Sequence, residues 1–536
     1  MTPGAKRWTL VAVILGSGIV FLDTSVVNLA LERIGLELPS RILRLGRFEA
    51  QNYVAYGYFI TLSALLILGG ALTDFLGRRK IFAFGLASFL VTSLLCGIAP
   101  NIELLILFRI LQGAAGAFVV PGSLAIITAS FEGEEQGRAF GIWAGASAFT
   151  SIIGPTIGGI LVDAVSWRVA FLINVPLLVV AIIACLRAVP ESRDEDASRR
   201  LDWLGSIVIV IAVGGLAFGT IRGEETSWQE PLSLVVLAAG GIAAVAFPFL
   251  MRYRKDPLVP LDLFRSRNFA VTNLGTFVIY AALYVTLTYQ ALFLIGTLGY
   301  SPPAAALAGI PGALFLAFFS TRFGKLAARN GPRRYMTIGP LVMALGLAWL
   351  VRVPSTSEGW VVGTGPGRSL MPPADYFVDF FPYLILFGIG LMIMVAPLTT
   401  ALMTSVPKKN SGLASAINNA ISRVGSPLIG ALIFVAASSS FYTTIADRVP
   451  NADTESLSFR REVAPLNVPP EAAPEVRAAA KEASTDAFRL AMSVAGGLML
   501  LGAAVHGFGV RNPRRRAGDG SSPGPPPETV SPRSDP

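Results

Sequence analysis

The sequence predicts an all-α membrane protein that crosses the bilayer fourteen times, with both termini in the cytoplasm. Three observations lead there. Only 14% of the 536 residues are charged and 53% are hydrophobic, whereas about a quarter of a soluble domain is charged. The apolar residues gather into runs long enough to cross ~30 Å of hydrocarbon at about 1.5 Å per residue. The basic residues fall in alternate loops between those runs.

The runs lie near residues 8–31, 52–72, 81–99, 102–129, 139–162, 169–189, 203–221, 232–251, 269–295, 303–321, 335–353, 381–404, 412–440 and 487–509. The first follows Lys6 and Arg7 but is too long for a signal-peptide core, so it reads as a retained helix. Alternate loops carry Arg78, Arg79 and Lys80, then Arg252, Arg254 and Lys255, then five basic residues from Arg322 to Arg334, then Lys408 and Lys409. The positive-inside rule places these loops in the cytoplasm. The loop with Glu132, Glu134 and Glu135 dissents, but acidic residues weigh little in that rule. Glu103 is expected to cap the fourth helix beside Asn101, and Asp163 to end the fifth.

The same composition excludes other classes. His506 is the single histidine, and Cys96 and Cys185 both lie inside apolar runs, so neither a metal cluster nor a disulfide framework is expected. The net charge of +9 punctuates loops instead of forming one basic face, which argues against a nucleic-acid partner. No HExxH, Walker A or nucleophile-elbow pattern occurs, so no enzyme and no cofactor are expected.

An internal repeat suggests the architecture. Gly70-Ala71-Leu72-Thr73-Asp74-Phe75-Leu76-Gly77-Arg78-Arg79-Lys80 follows the second run, and Gly324-Lys325-Leu326-Ala327-Ala328-Arg329-Asn330-Gly331-Pro332-Arg333-Arg334 follows the tenth. Copies eight spans apart fit two six-helix halves with two helices inserted between them. The expected division is residues 1–189 for the first half, 190–268 for a linker with the inserted pair, and 269–511 for the second half. That second half carries an external loop at 441–486, with a short amphipathic helix near Ala472–Ala487. Residues 512–536, rich in Gly, Ser, Pro and Arg, are expected to be a disordered cytoplasmic tail.

Several segments carry chemistry. Asp23 sits within Leu22-Asp23-Thr24-Ser25-Val26-Val27-Asn28, inside the first span. An aspartate there costs several kcal/mol unless paired, hydrated or protonated, and desolvation favours the neutral form of any carboxyl. That suits a residue that takes up and releases a proton; a structural Asp capping a local turn is the alternative. Arg109 opens Arg109-Ile110-Leu111-Gln112-Gly113-Ala114-Ala115-Gly116 in the fourth span. Counted along each helix, the two reach similar depths, so they can pair. Snorkelling to the interface is the alternative for Arg109. Gly154-Pro155-Thr156-Ile157-Gly158-Gly159 marks the fifth span as a close-packing helix. Amphipathic residues punctuate other spans: Tyr56, Tyr284, Gln290, Met394, Asn418, Asn419 and Arg423. Ordinary helix packing accounts for most of them singly; as a set with Gln112 they form candidate substrate contacts. Arg423, about 18 Å into its span, is too deep to snorkel and must face a cavity or a partner.

These segments, with Trp167-Arg168 and Phe171-Leu172-Ile173-Asn174-Val175-Pro176, resemble the major facilitator superfamily, and within it the fourteen-helix drug:proton antiporters of the EmrB/QacA type. The resemblance covers about residues 8–435. It implies proton coupling at Asp23 and Arg109 and a conformational latch at Gly70, Asp74, Gly77, Arg78 and Arg79. It also implies an antiporter motif at Gly154, Pro155, Gly158 and Gly159. Phe75 stands where the family usually has Arg, Ala328 replaces the acid in the second copy, and Thr150 replaces the motif's leading Gly. The expectation is a monomeric, multi-pass transporter of the cell membrane that exports small amphipathic molecules against protons. A facilitator or symporter, a lipid or metabolite exporter, and a non-transporting scaffold or sensor remain alternatives.

Overall fold

Apolar runs become helices because a segment in hydrocarbon must satisfy its own backbone hydrogen bonds. The computed structural model describes residues 2–512 except 132–134, 136–138, 140–141, 144–149, 151–153, 155, 194–201, 227, 364–367, 407–410, 450–451 and 469–471. The tail expected at 512–536, the acidic loop residues Glu132 and Glu134, and Lys408 and Lys409 thus fall largely or wholly outside the described residues. The long helices are α1 Pro3–Glu37, α2 Arg47–Leu76, α3 Arg78–Gly97, α4 Ile102–Ser130 and α5 Asn174–Ala188. They continue with α6 Trp203–Glu225, α7 Pro231–Tyr253, α8 Arg267–Leu292, the short α9 Pro302–Ala308 and α10 Ile310–Asn330. α11 Arg333–Leu350, α12 Phe381–Thr404, α13 Ser411–Arg448, the short α14 Leu457–Glu462 and α15 Pro474–Gly509 complete the order. Among the described residues, 12 helices are long and apolar enough to cross a membrane. The fifth expected run is described mainly as helix over residues 156–164, and α11, with 18 residues, is not one of the 12.

The helices pack as two groups. α1 to α5 contact one another, as do α8, α10 to α13 and α15, while α2 and α1 meet α13 and α8 across the seam. The α6–α7 hairpin lies against both α2 and α13, so it touches each group. Within the first group α2 and α4 come close enough that no side chain fits between them. A Cβ on Gly69 would lie 2.2 Å from the Ala117 carbonyl oxygen, and one on Gly113 would lie 2.2 Å from that of Tyr58.

Two local expectations need correction. The segment outside α13 and α15 is shorter than 441–486, because α13 runs on to Arg448 and α15 starts at Pro474. The expected amphipathic helix near Ala472–Ala487 is the first part of α15, whose apolar stripe at Ala479, Ala480, Ala483 and Ala487 is buried. Glu103 does not cap α4; Asn101 does, accepting from the Leu104 amide at 2.9 Å. The Glu103 carboxylate instead accepts from Ser40 Oγ and the amides of Ile42 and Leu43, bracing the loop between α1 and α2. Asp163 pairs with Arg33 of α1 at 3.3 Å.

Gly69→Ala and Gly113→Ala are expected to destabilise the protein by about 1–3 kcal/mol each, since backbone blocks the new methyl. Elsewhere in a helix the same exchange stabilises by up to about 1 kcal/mol. Thermal melting of the detergent-purified protein checks the sign; an unchanged or raised midpoint would contradict the close approach.

Candidate functional site

Asp23 is fully buried at the middle of α1, and two other helices supply its partners. Arg109 Nη1 of α4 donates to Oδ2 at 2.5 Å. Gln112 Nε2, one turn on, donates to Oδ1 at 3.0 Å, and Asn174 Nδ2 at the start of α5 donates to the same oxygen at 2.9 Å. Arg109 is itself held by the Val54 carbonyl of α2 and by Gln112 Oε1, and its guanidinium lies 4.3 Å from the Tyr58 ring centroid. Ser93 of α3 accepts from Gln112. The pairing inferred from helix depth is thus formed, and neither snorkelling nor a local cap describes it. Asn174 and Ser93 complete the network; Asn174 stood in a motif whose partner the sequence could not name.

A cavity of about 1270 Å³ opens at the end of the molecule that carries Arg78, Arg254 and Lys255. Gly70, Pro121, Leu413, Ser415 and Asn419 line it, so both helix groups contribute. Asp202 anchors its rim: the carboxylate caps α6 at Gly205, accepts from the Leu258 amide and pairs with Arg254 at 3.0 Å. Burial pushes this carboxyl up, but those amides and Arg254 outweigh it and hold it below the ordinary aspartate value.

The candidate substrate residues are dispersed. Asn419 lines the cavity. Arg423, one turn further along α13, is 4% exposed and lies 5.8 Å from the Phe21 ring centroid of α1. Tyr284 packs on Phe59 at 5.0 Å, and the Tyr56 hydroxyl lies against Gly430. Asn418 is occupied within the second group, donating to Asn273 and Thr276. Gln290 accepts from Tyr383, and Met394 packs on Gly339. The last three serve helix packing in this conformation.

The opposite end is closed, by residues the sequence reading missed. Phe48 of α2 stacks on Phe434 of α13 at 4.8 Å and meets Tyr289 of α8 edge-on. Gln51 and Asn467 exchange two amide hydrogen bonds of 2.7 and 2.8 Å. Arg222 of α6 pairs with Glu49 at 3.1 Å and with Glu230. Arg460 of α14 donates to the carbonyls of Glu224 and Glu225. Glu49, Arg222, Glu225 and Arg460 are all buried. They flank apolar runs and so read as loop charges; only their arrangement on three elements reveals a buried cluster.

Gly77 ends α2 with φ +117°, a conformation that L side chains avoid. Its neighbours clasp the end of α5 and the segment after it: the Arg78 amide donates to Ser192 O, the Arg79 amide to Glu191, and the Arg79 guanidinium to Leu186 O. Gly70 faces Pro121, and Asp74 lies in the last turns of α2. In the fifth expected run Gly154 and Gly158 seat against Leu22 and Val26 of α1, while Gly159 abuts the Pro302 carbonyl of α9. Pro155 lies outside the described residues.

With this arrangement established, the comparisons identify the family. The family model described as Major Facilitator Superfamily matches residues 13–431. The chain belongs to that superfamily. It is a multi-pass membrane transporter and not an enzyme. The multidrug resistance protein Stp of Mycobacterium tuberculosis is 32% identical over 422 residues, 78% of this chain and 74% of that one. The puromycin resistance protein of Streptomyces alboniger is 32% identical over 456 residues, covering 83% and 84%. A probable actinorhodin transporter of Streptomyces coelicolor is 28% identical over 84% of this chain and 77% of its own. In fold, the chain resembles a bacterial homologue of the human lysosomal transporter Spinster, with TM-score 0.63, 17% identity and coverage of 94% and 97%.

Replacing Arg109 alone by Leu leaves Asp23 buried without its cation and is expected to cost about 3–5 kcal/mol. Asp23→Leu combined with Arg109→Leu should recover most of that loss, because the pair's desolvation penalty disappears with it. Melting midpoints of the two variants decide; additive losses would contradict the pairing.

Proposed function

We propose that the protein is a proton-coupled exporter of small amphipathic molecules, working by alternating access. The observation that carries this is the buried Asp23–Arg109 pair, a carboxylate whose partners come from two other helices, α4 and α5. Protonating Asp23 removes its charge, weakens the bond to Arg109 and frees the first group to shift. The relatives named for multidrug resistance, puromycin resistance and actinorhodin transport support export as the direction.

In this reading the chain has fourteen spans, with residues 139–162 and α11 added to the twelve, and both termini face the cytoplasm. Residues 1–189 and 269–511 act as the two moving halves, with the α6–α7 hairpin between them. The large cavity is then the cytoplasmic entrance, and the Phe48, Gln51 and Glu49 contacts are the closed outer gate. Gly77, Arg78 and Arg79 hold the cytoplasmic latch with Gly70 and Asp74. Gly154, Gly158 and Gly159 seat the fifth span at the seam.

The test is substrate efflux in proteoliposomes. Wild type is expected to move substrate faster under an inward-directed proton gradient, and Asp23→Asn to lose that acceleration. Transport indifferent to the gradient, or gradient-driven transport by Asp23→Asn, would overturn the coupling. The outer gate has its own check: cross-linking Gln51→Cys to Asn467→Cys through disulfides with a bis-methanethiosulfonate reagent should abolish transport and reduction should restore it. Full transport while cross-linked would show that this end does not open.

A further inference from the structure

We infer that Arg423 is an anion-recognition point on the translocation path, and that the substrates include aromatic amphipaths bearing a carboxylate. The inference rests on the exporter reading above and adds the chemistry of what is exported.

Among the described residues four arginines are buried, and three of them hold acid or carbonyl partners. Arg109 has Asp23, Gln112 and the Val54 carbonyl. Arg222 has Glu49, Glu230 and the Leu43 carbonyl. Arg460 has the carbonyls of Thr454, Glu224 and Glu225. Arg423 differs: its Nε has no hydrogen-bond partner, and no acid among the described residues pairs with it. An unpaired guanidinium at 4% exposure is costly in a membrane protein.

The surroundings state what would repay that cost. Phe21 presents its ring to the guanidinium, and Tyr58 and Tyr280 are near enough to feel its charge. Tyr280 and Tyr284 sit 6.2 Å apart, with Phe59 against Tyr284. These side chains come from α1, α2 and α8 and meet α13 at the seam between the groups. Asp23, two residues beyond Phe21, is the acid on that stretch of α1, and Arg109, Gln112 and Asn174 already occupy it. One turn below Arg423, Asn419 lines the large cavity. A planar aromatic group can therefore lie among the rings while its carboxylate takes the free donors of Arg423. The positive-inside rule explains the cavity's basic mouth, where basic residues outnumber acidic ones five to three. It does not explain a cation buried a full turn deeper.

A matched fluorescent pair tests this: 1-pyrenebutyrate and the uncharged 1-pyrenebutanol, titrated onto the purified full-length protein and followed in proteoliposomes. Wild type is expected to bind the carboxylate about tenfold or more tightly than the alcohol, the scale of a charge-assisted bond. Arg423→Gln should erase that preference while leaving the alcohol unchanged, and Arg423→Lys should keep part of it. Equal binding of both probes by wild type overturns the inference. So does an equal loss of both in Arg423→Gln whose melting midpoint matches wild type, because Arg423 would then serve coupling or packing. Transport reports separately: preferential binding without gradient-driven movement would overturn the exporter reading and leave the anion site standing.

Discussion

A carboxylate and a guanidinium held in contact away from water form the interaction around which the first helix group is arranged. Desolvating both charges is expensive, and the expense is offset only when every remaining donor and acceptor finds a partner. Asp23 meets that demand by drawing on α1, α3, α4 and α5 at once, directly or through Gln112 and Ser93. The helices can approach because glycines remove side chains where backbones meet, Gly113 against Tyr58 and Gly158 against Val26. Close packing and charge pairing are therefore one constraint: widen the helices and the pair loses its geometry.

In the proposed coupling, that constraint makes the pair a switch. A carboxylate held by several donors in a low-dielectric interior responds sharply to one added proton, because removing its charge weakens every bond directed at it. The conformation seen here has a wide cavity at the basic end and a sealed opposite end. A second charge cluster, Glu49 with Arg222, stands at the sealed end and ties the inserted hairpin to α2. In the proposed cycle, that contact joins the α6–α7 hairpin to the outer gate.

Much of this was legible in the sequence, for a physical reason. Asp23 and Arg109 stand out because hydrocarbon tolerates so few charges, and the regular rise of a helix converts residue number into depth. The glycine motifs were legible as close packing, although Gly69 makes the tighter approach beside the recognised Gly70. Glu49, Arg222, Glu225 and Arg460 were not legible. They lie where apolar runs end, and a charge there looks the same whether it meets water or a partner from another element. Two of the candidate substrate residues show a related ambiguity: in this conformation Gln290 and Asn418 bond to neighbouring helices, and the sequence does not tell such a bond from a ligand contact. Among the candidates Asn419 lines the cavity, and Arg423 lies one turn along α13 from it.

The central claim is that Asp23 itself carries the coupled proton. Infrared difference spectroscopy of the purified protein, comparing acidic with alkaline medium, reads carboxyl protonation directly. The account predicts a protonated-carboxyl band in wild type that is absent in Asp23→Asn, and that substrate addition diminishes in wild type. A band unchanged in Asp23→Asn would place the proton on another residue and contradict the account.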